Sequence, residues 1–126
     1  MSETMAYENP VDFELCPRFA KTFAILGKKW NGLIIDVLLH LGNQRFKTLA
    51  EKVPKCSDRV LVERLKELED EGIIVRNTHL NSSLIDYALT EKGKDLASTM
   101  ANIHDWAEKW YEVKGETVVD QFDNNR

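Results

Sequence analysis

Pro54 and Ser57 stand three residues apart, and between them they dictate a corner in the chain. Proline cannot continue a helix, because it lacks the amide N–H and its ring clashes with the preceding turn. The apolar residues Phe46, Leu49, Ala50 and Val53 therefore make a short helix that stops at Pro54. Serine has the opposite effect: its hydroxyl accepts a hydrogen bond from a free amide of the first helical turn. A new helix is predicted over residues 57–71, with Leu61, Leu65 and Leu68 as its buried stripe and Gly72 as its stop. Two short helices joined by so tight a turn read as a helix-turn-helix.

The neighbouring segments complete the pattern. Cys16-Pro17 opens a first helix, whose stripe is Phe19, Phe23 and Leu26 and whose cap is Gly27. A second helix is predicted over 29–41, where Trp30, Leu33, Ile34, Val37, Leu38 and Leu41 recur at helical spacing before Gly42-Asn43. Residues 73–79 are rich in β-branched side chains, residues 84–89 alternate, and the turn-forming 80–83 lies between them, so a hairpin is expected. Thr90 then caps a long last helix to about Val113. The expected fold is mainly α with a small β-hairpin wing: a winged helix-turn-helix. Its organisation is a flexible arm over 1–14, the domain with its terminal helix over 15–113, and a loose acidic tail over 114–126.

A chain of 126 residues can bury one sizeable core without disulfides or metal. No apolar run reaches the roughly 18 residues that a membrane span needs, and residues 1–14 lack the basic start of a secretory signal, so a cytoplasmic location is expected. The net charge of −4 argues against a nucleic-acid partner until its distribution is considered. Residues 17–94 hold 14 basic and 10 acidic side chains, whereas the remainder holds 3 and 11. A basic middle between acidic ends suits a molecule with one face for phosphate and another for protein.

The second helix of a helix-turn-helix must keep one face in the core and offer the other to the major groove. Opposite the leucines lie Ser57, Asp58, Arg59, Val62, Glu63 and Lys66. Arg59 suits bidentate contact to guanine, and Val62 suits a thymine methyl. Asp58 either accepts from cytosine or orients Arg59. Arg45, Lys47, Lys52 and Lys55 are candidate phosphate contacts beside this helix, as are Arg76, His79, Asn81 and Ser82 on the hairpin.

Several segments resemble HxlR-type regulators, a branch near the MarR group. They are Cys16-Pro17 with residues 26–30, Arg45-Phe46-Lys47-Thr48-Leu49, residues 57–61 with 64–69, residues 72–76 and residues 86–93. The resemblance covers about 14–112 and implies a homodimer that binds double-stranded DNA at a near-palindromic operator. The wing tip at 80–84 departs from it, lacking the prolines and extra basic residue often seen there. Cys56 stands where an aliphatic residue is more usual.

Leu96, Met100, Ile103, Ala107 and Trp110 recur at steps of four and three, with Trp106 beside them. Such a seam packs on the core or on a partner, and the resemblance points to a dimer interface shared with the first helix. Cys16, at a helix N-terminus with Arg18 and Lys21 near in sequence, is a candidate sensor of oxidants or electrophiles, as the resemblance also implies. Cys56 is a candidate partner thiol for Cys16, though nothing in the sequence places the two together. His40, His79 and His104 lie on different elements, and no metal or nucleotide motif occurs, so neither enzyme activity, metal nor cofactor is expected. Two alternatives remain: a winged-helix protein-interaction module, and a regulator controlled by a small molecule held between the DNA-binding core and the dimer helices.

Overall fold

A computed structural model describes residues 12–121. The chain runs α1 (Pro17–Leu26), α2 (Asn31–Leu41), β1 (Gln44–Arg45), α3 (Phe46–Lys52), α4 (Asp58–Asp70), β2 (Ile74–Thr78), β3 (Ile85–Leu89), α5 (Glu91–Lys94), α6 (Ala97–Trp110), β4 (Tyr111–Lys114) and β5 (Thr117–Asp120). The expected arm lies almost wholly outside the described residues.

One core joins the helix-turn-helix to the wing. Leu61, Leu65 and Leu68 of α4 meet Ile34, Ile35 and Leu38 of α2, with Leu49, Ile73, Ile74 and Leu89 closing the cluster. Burying each such side chain fully stabilises the fold by about 1.5–3 kcal/mol. At the end of α4, Gly72 adopts φ 76°. The amide of Ile73 then donates to the Leu68 carbonyl and that of Gly72 to Glu69, which satisfies two otherwise free carbonyls. This cap aims β2 directly off the helix.

β2 and β3 pair antiparallel from Ile74↔Leu89 to Thr78↔Ile85. The two-residue β1, which the sequence pattern does not reveal, pairs with β3 through Gln44↔Tyr87 and Arg45↔Asp86. The wing is therefore a three-stranded sheet of order β1-β3-β2, anchored at the entrance to α3. Gly93 lets α5 lie against the start of β2, since a Cβ there would fall 2.3 Å from the Ile73 carbonyl oxygen.

Three boundaries differ from the sequence expectation. The second helix starts at Asn31, because residues 27–30 form a tight corner with Trp30 at φ 83°. Asn31 holds that corner by donating to the Ile25 carbonyl at 2.9 Å. The expected last helix is two helices broken at Asp95-Leu96, and the second ends at Trp110 rather than Val113. The first part of the expected loose tail is a hairpin, β4–β5, docked on the end of α6 by the Gln121 amide donating to the Trp110 carbonyl at 2.8 Å. Residues 122–126 lie outside the described part.

Candidate nucleic-acid interface and helical face

The face of α4 opposite its leucines is open to solvent. Ser57 caps the helix by accepting from the Val60 amide at 3.2 Å, and Asp58 places a carboxylate in the first turn, where the helix dipole favours it. Arg59, Val62, Glu63 and Lys66 follow along the exposed surface. Val62 is 56% exposed, an apolar side chain that the protein's own core leaves uncovered. Lys66 is drawn toward Asp70, 3.3 Å away.

Arg45, Lys47 and Lys55 are exposed around the helix-turn-helix, and Arg76 is exposed on β2. Among the described residues, none of these four, nor Arg59, joins an ion pair. Their charge is thus not neutralised within the fold. The other basic residues of this region behave differently. Arg64 is mostly buried, donates from Nε to the Lys29 carbonyl at 3.0 Å and meets Glu67, which also receives Lys28 at 2.6 Å. These three bind α4 to the corner between α1 and α2, facing away from the open surface.

In the wing, His79 lies 2.9 Å from Asp86, which also accepts from Asn77 at 2.8 Å. These hydrogen bonds, Asn77 first and then His79, hold the Asp86 carboxyl below its ordinary pKa. His79 therefore stiffens the hairpin, whereas Asn81 sits at the tip with φ 62°. Leu80 beside it is almost fully exposed.

A second surface has the opposite chemistry. No residue of α1 is buried; Phe19 and Phe23 are 57% and 56% exposed and meet each other at a tilt, with ring centroids 4.9 Å apart. With Leu33 of α2 and Ile103 of α6 they line a groove of about 590 Å³ floored by Met100. Of the predicted seam, Ile103 and Trp106 are exposed, and Ala107 and Trp110 half-buried. Leu96 instead packs against the protein's own core and Met100 is buried, because the break at Asp95-Leu96 turns the start of α6 inward. Trp106 meets Tyr111 edge-on at 5.6 Å, a contact created by the unexpected β4.

The two cysteines occupy unlike environments. Cys16 is the exposed N-cap residue of α1. It makes no capping hydrogen bond as a thiol, yet the amide of Phe19, then the amide and side chain of Arg18, favour its thiolate and lower its pKa. Cys56 is buried in the core beneath α4, and that burial raises its pKa.

A helix-turn-helix with a wing, its second helix presenting a solvent-open face flanked by cations unpaired among the described residues, defines a winged-helix DNA-binding protein. Comparison with known proteins is specific: residues 25–115 match the HxlR-like helix-turn-helix model, and the chain belongs to that family. It is similar to the HTH-type transcriptional regulator YvaP of Bacillus subtilis, 47% identical over 98 residues covering 77% of this chain and 90% of YvaP. It is also similar to YodB of Bacillus subtilis, a transcriptional regulator 41% identical over 108 residues, 85% of this chain and 95% of YodB. The structure of reduced YodB superposes with a TM-score of 0.68, covering 76% of this chain and 94% of that one, and YodB has also been seen quinone-bound and diamide-treated. The redox regulator HypR in its oxidised form matches with a TM-score of 0.70 at 29% identity, over 78% of this chain and all of that one. The chain is an HTH-type, DNA-binding transcriptional regulator.

Proposed function

We propose that the protein binds a near-palindromic operator in double-stranded DNA as a homodimer, and that Cys16 makes this binding responsive to oxidants or electrophiles. The observation that carries the operator reading is the open face of α4, where Arg59 and Val62 project while nearby Arg45, Lys47, Lys55 and Arg76 stay unneutralised. In this reading Ser57, Asp58, Arg59, Val62, Glu63 and Lys66 line the major groove, and the flanking cations with Lys52, His79, Asn81 and Ser82 meet the backbone. Two such helices related by a two-fold axis meet successive major grooves about 34–36 Å apart.

The dimer reading rests on α1. A ten-residue helix with no buried residue is marginal by itself, because isolated helices shorter than about 12–15 residues gain too little from their own hydrogen bonds. A second copy laid over Phe19, Phe23, Ile103 and Trp106 supplies the missing burial, with Ala107 and Trp110 at its edge. Cys16 begins that same helix. Its thiolate can add to an electrophilic carbon or be oxidised, and either event alters the start of the dimer helix. Cys56 is buried in the core, whereas Cys16 is exposed, so Cys16 is the thiol open to an oxidant or electrophile.

The groove favours a second reading, a small apolar effector held between α1, α2 and α6. A regulator of this kind works in the cytoplasm beside the chromosome, and no described helix is long and apolar enough to cross a membrane.

Selection of bound genomic fragments, followed by titration of the recovered duplex at several salt concentrations, tests the whole. A steep loss of affinity with salt and a two-fold-symmetric site are expected. A protein that remains monomeric and ignores every duplex would overturn the proposal. An oxidant response unchanged in Cys16→Ser would overturn the sensor alone.

A further inference from the structure

Three side chains far apart in sequence meet at the edge of the apolar groove. Asp36 and His40 lie one turn apart on α2, and His104 reaches them from α6. The His104 Nε2 is 2.8 Å from Asp36 Oδ1, the His40 Nδ1 is 3.4 Å from the same oxygen, and the two imidazoles stand edge to face at 5.5 Å. One ligand atom from each residue falls within 4.8 Å of the others. We propose that Asp36, His40 and His104 form a binding site for a divalent first-row transition-metal ion, with Zn2+ as its representative, that clips α2 to α6.

The donor set argues for this class of ion. Two imidazoles and one carboxylate suit zinc and its neighbours, whereas calcium and magnesium call for oxygen ligands throughout. Zinc bonds of about 2.0–2.2 Å put tetrahedral ligand atoms roughly 3.4 Å apart. The His40–Asp36 separation already matches this. Closing around the ion needs the Asp36–His104 hydrogen bond to open by about half an ångström, the two imidazoles to draw together, and His40 Nδ1 to give up its 2.9 Å hydrogen bond with the Asp36 backbone carbonyl. The approach is suitable as well. His40 and His104 are about half exposed or more, Asp36 is mostly covered, and a small cavity lined by Leu39, Ala97 and Ala101 opens beside them. Three protein ligands leave a fourth position for water or an anion. The spacing is local only for Asp36 and His40, at i and i+4 on one face of a helix. His104 joins them solely because α6 folds back along α2.

The consequence concerns the angle between two working parts. α2 leads through β1 into the helix-turn-helix, while α6 walls the apolar groove. An ion held between them fixes one against the other. Metal binding itself requires neither DNA nor a reactive thiol, so it is measurable independently of the operator reading.

Full-length protein carrying Cys16→Ser, which removes the exposed thiol, is titrated with Co2+ and then competed with Zn2+. One equivalent per chain is expected, with visible absorption bands that Zn2+ abolishes. His40→Gln and His104→Gln, both at exposed positions, should each weaken binding more than about tenfold. Asp36→Asn should do the same. Zn2+ should also raise the melting temperature of the parent, since it binds the folded state, but not that of the double histidine variant. Absence of saturable binding at about 100 micromolar metal, or equal affinity in the double histidine variant, overturns the site and leaves an ordinary ion pair between helices.

Discussion

The outer face of α4 and the face shared by α1 and α6 both offer surface that the described fold leaves uncovered, but in opposite currencies. Around α4 the exposed groups are charged: Arg45, Lys47, Lys55 and Arg59 stand without ion-pair partners among the described residues, Lys66 meets Asp70, and Asp58, Glu63 and the apolar Val62 lie among them. Along α1 and α6 they are Phe19, Phe23, Ile103 and Trp106, with Lys28, Lys29, Asp36 and His104 also in the lining of their groove. A phosphate backbone rewards the first pattern through counterion release, and a second apolar face rewards the other through area removed from water. The two surfaces should therefore answer differently to salt, even though a single core supports both.

Breaking that core gives the largest expected effect. Leu65→Ala empties a position that α2, α4 and the wing share, and should cost about 2–5 kcal/mol in denaturant unfolding. Operator affinity and dimer stability should fall together; loss of one alone would show that the two surfaces are not commonly supported. Next comes Ile103→Asp, which buries a charge in the proposed interface. Sedimentation should show the dimer weakened by at least about 2 kcal/mol, with the folded content by circular dichroism unchanged.

Arg59→Ala sharpens the other side of the comparison. If its contact is bidentate to guanine, binding weakens by about 1–3 kcal/mol and preference relaxes at one base pair of each half-site. An equal loss on every sequence would reassign Arg59 to phosphate. Lys55→Ala should act on slope more than on preference: the log–log dependence of affinity on salt should decrease by about 0.9 per chain. Sedimentation of this variant should match the parent at every salt concentration.

The smallest effect concerns Cys16. Because the Phe19 and Arg18 amides favour its thiolate, the folded-state pKa lies below the ordinary thiol value. Its alkylation rate should thus remain high below that value and decline only as pH falls through the lowered pKa. Rates measured against an unstructured peptide thiol check this, and a midpoint at or above the peptide's would refute it. Cys56, shifted upward by burial, should stay unlabelled until the protein unfolds.

Much of the reading head was legible because its rules are local. Ser57 caps α4 and Gly72 ends it through hydrogen bonds spanning only a few residues, so residue type alone announces them. The wing followed from alternation and a turn. β1 was not legible, since two residues carry no period, and it exists only because β3 offers an edge to pair with. The terminal seam was read as one helix because steps of four and three continue through Asp95-Leu96, where the chain in fact breaks. The sequence placed Arg59 opposite the leucines but gave Arg64 no partner. Both lie on α4, yet Arg64 is spent on the Lys29 carbonyl and Glu67 while Arg59 faces solvent.

Sequence alone determined the helix-turn-helix, the start and stop of its second helix and the hairpin that follows, because caps, prolines and periodicity act within a turn or two of the chain. Tertiary structure decided what each apolar or charged residue faces. It sent Leu96 inward and Ile103 outward, tied His79 to Asp86, and brought His104 to Asp36 across 68 residues. The physical reason is that a stripe records the need for burial without recording the partner that meets it.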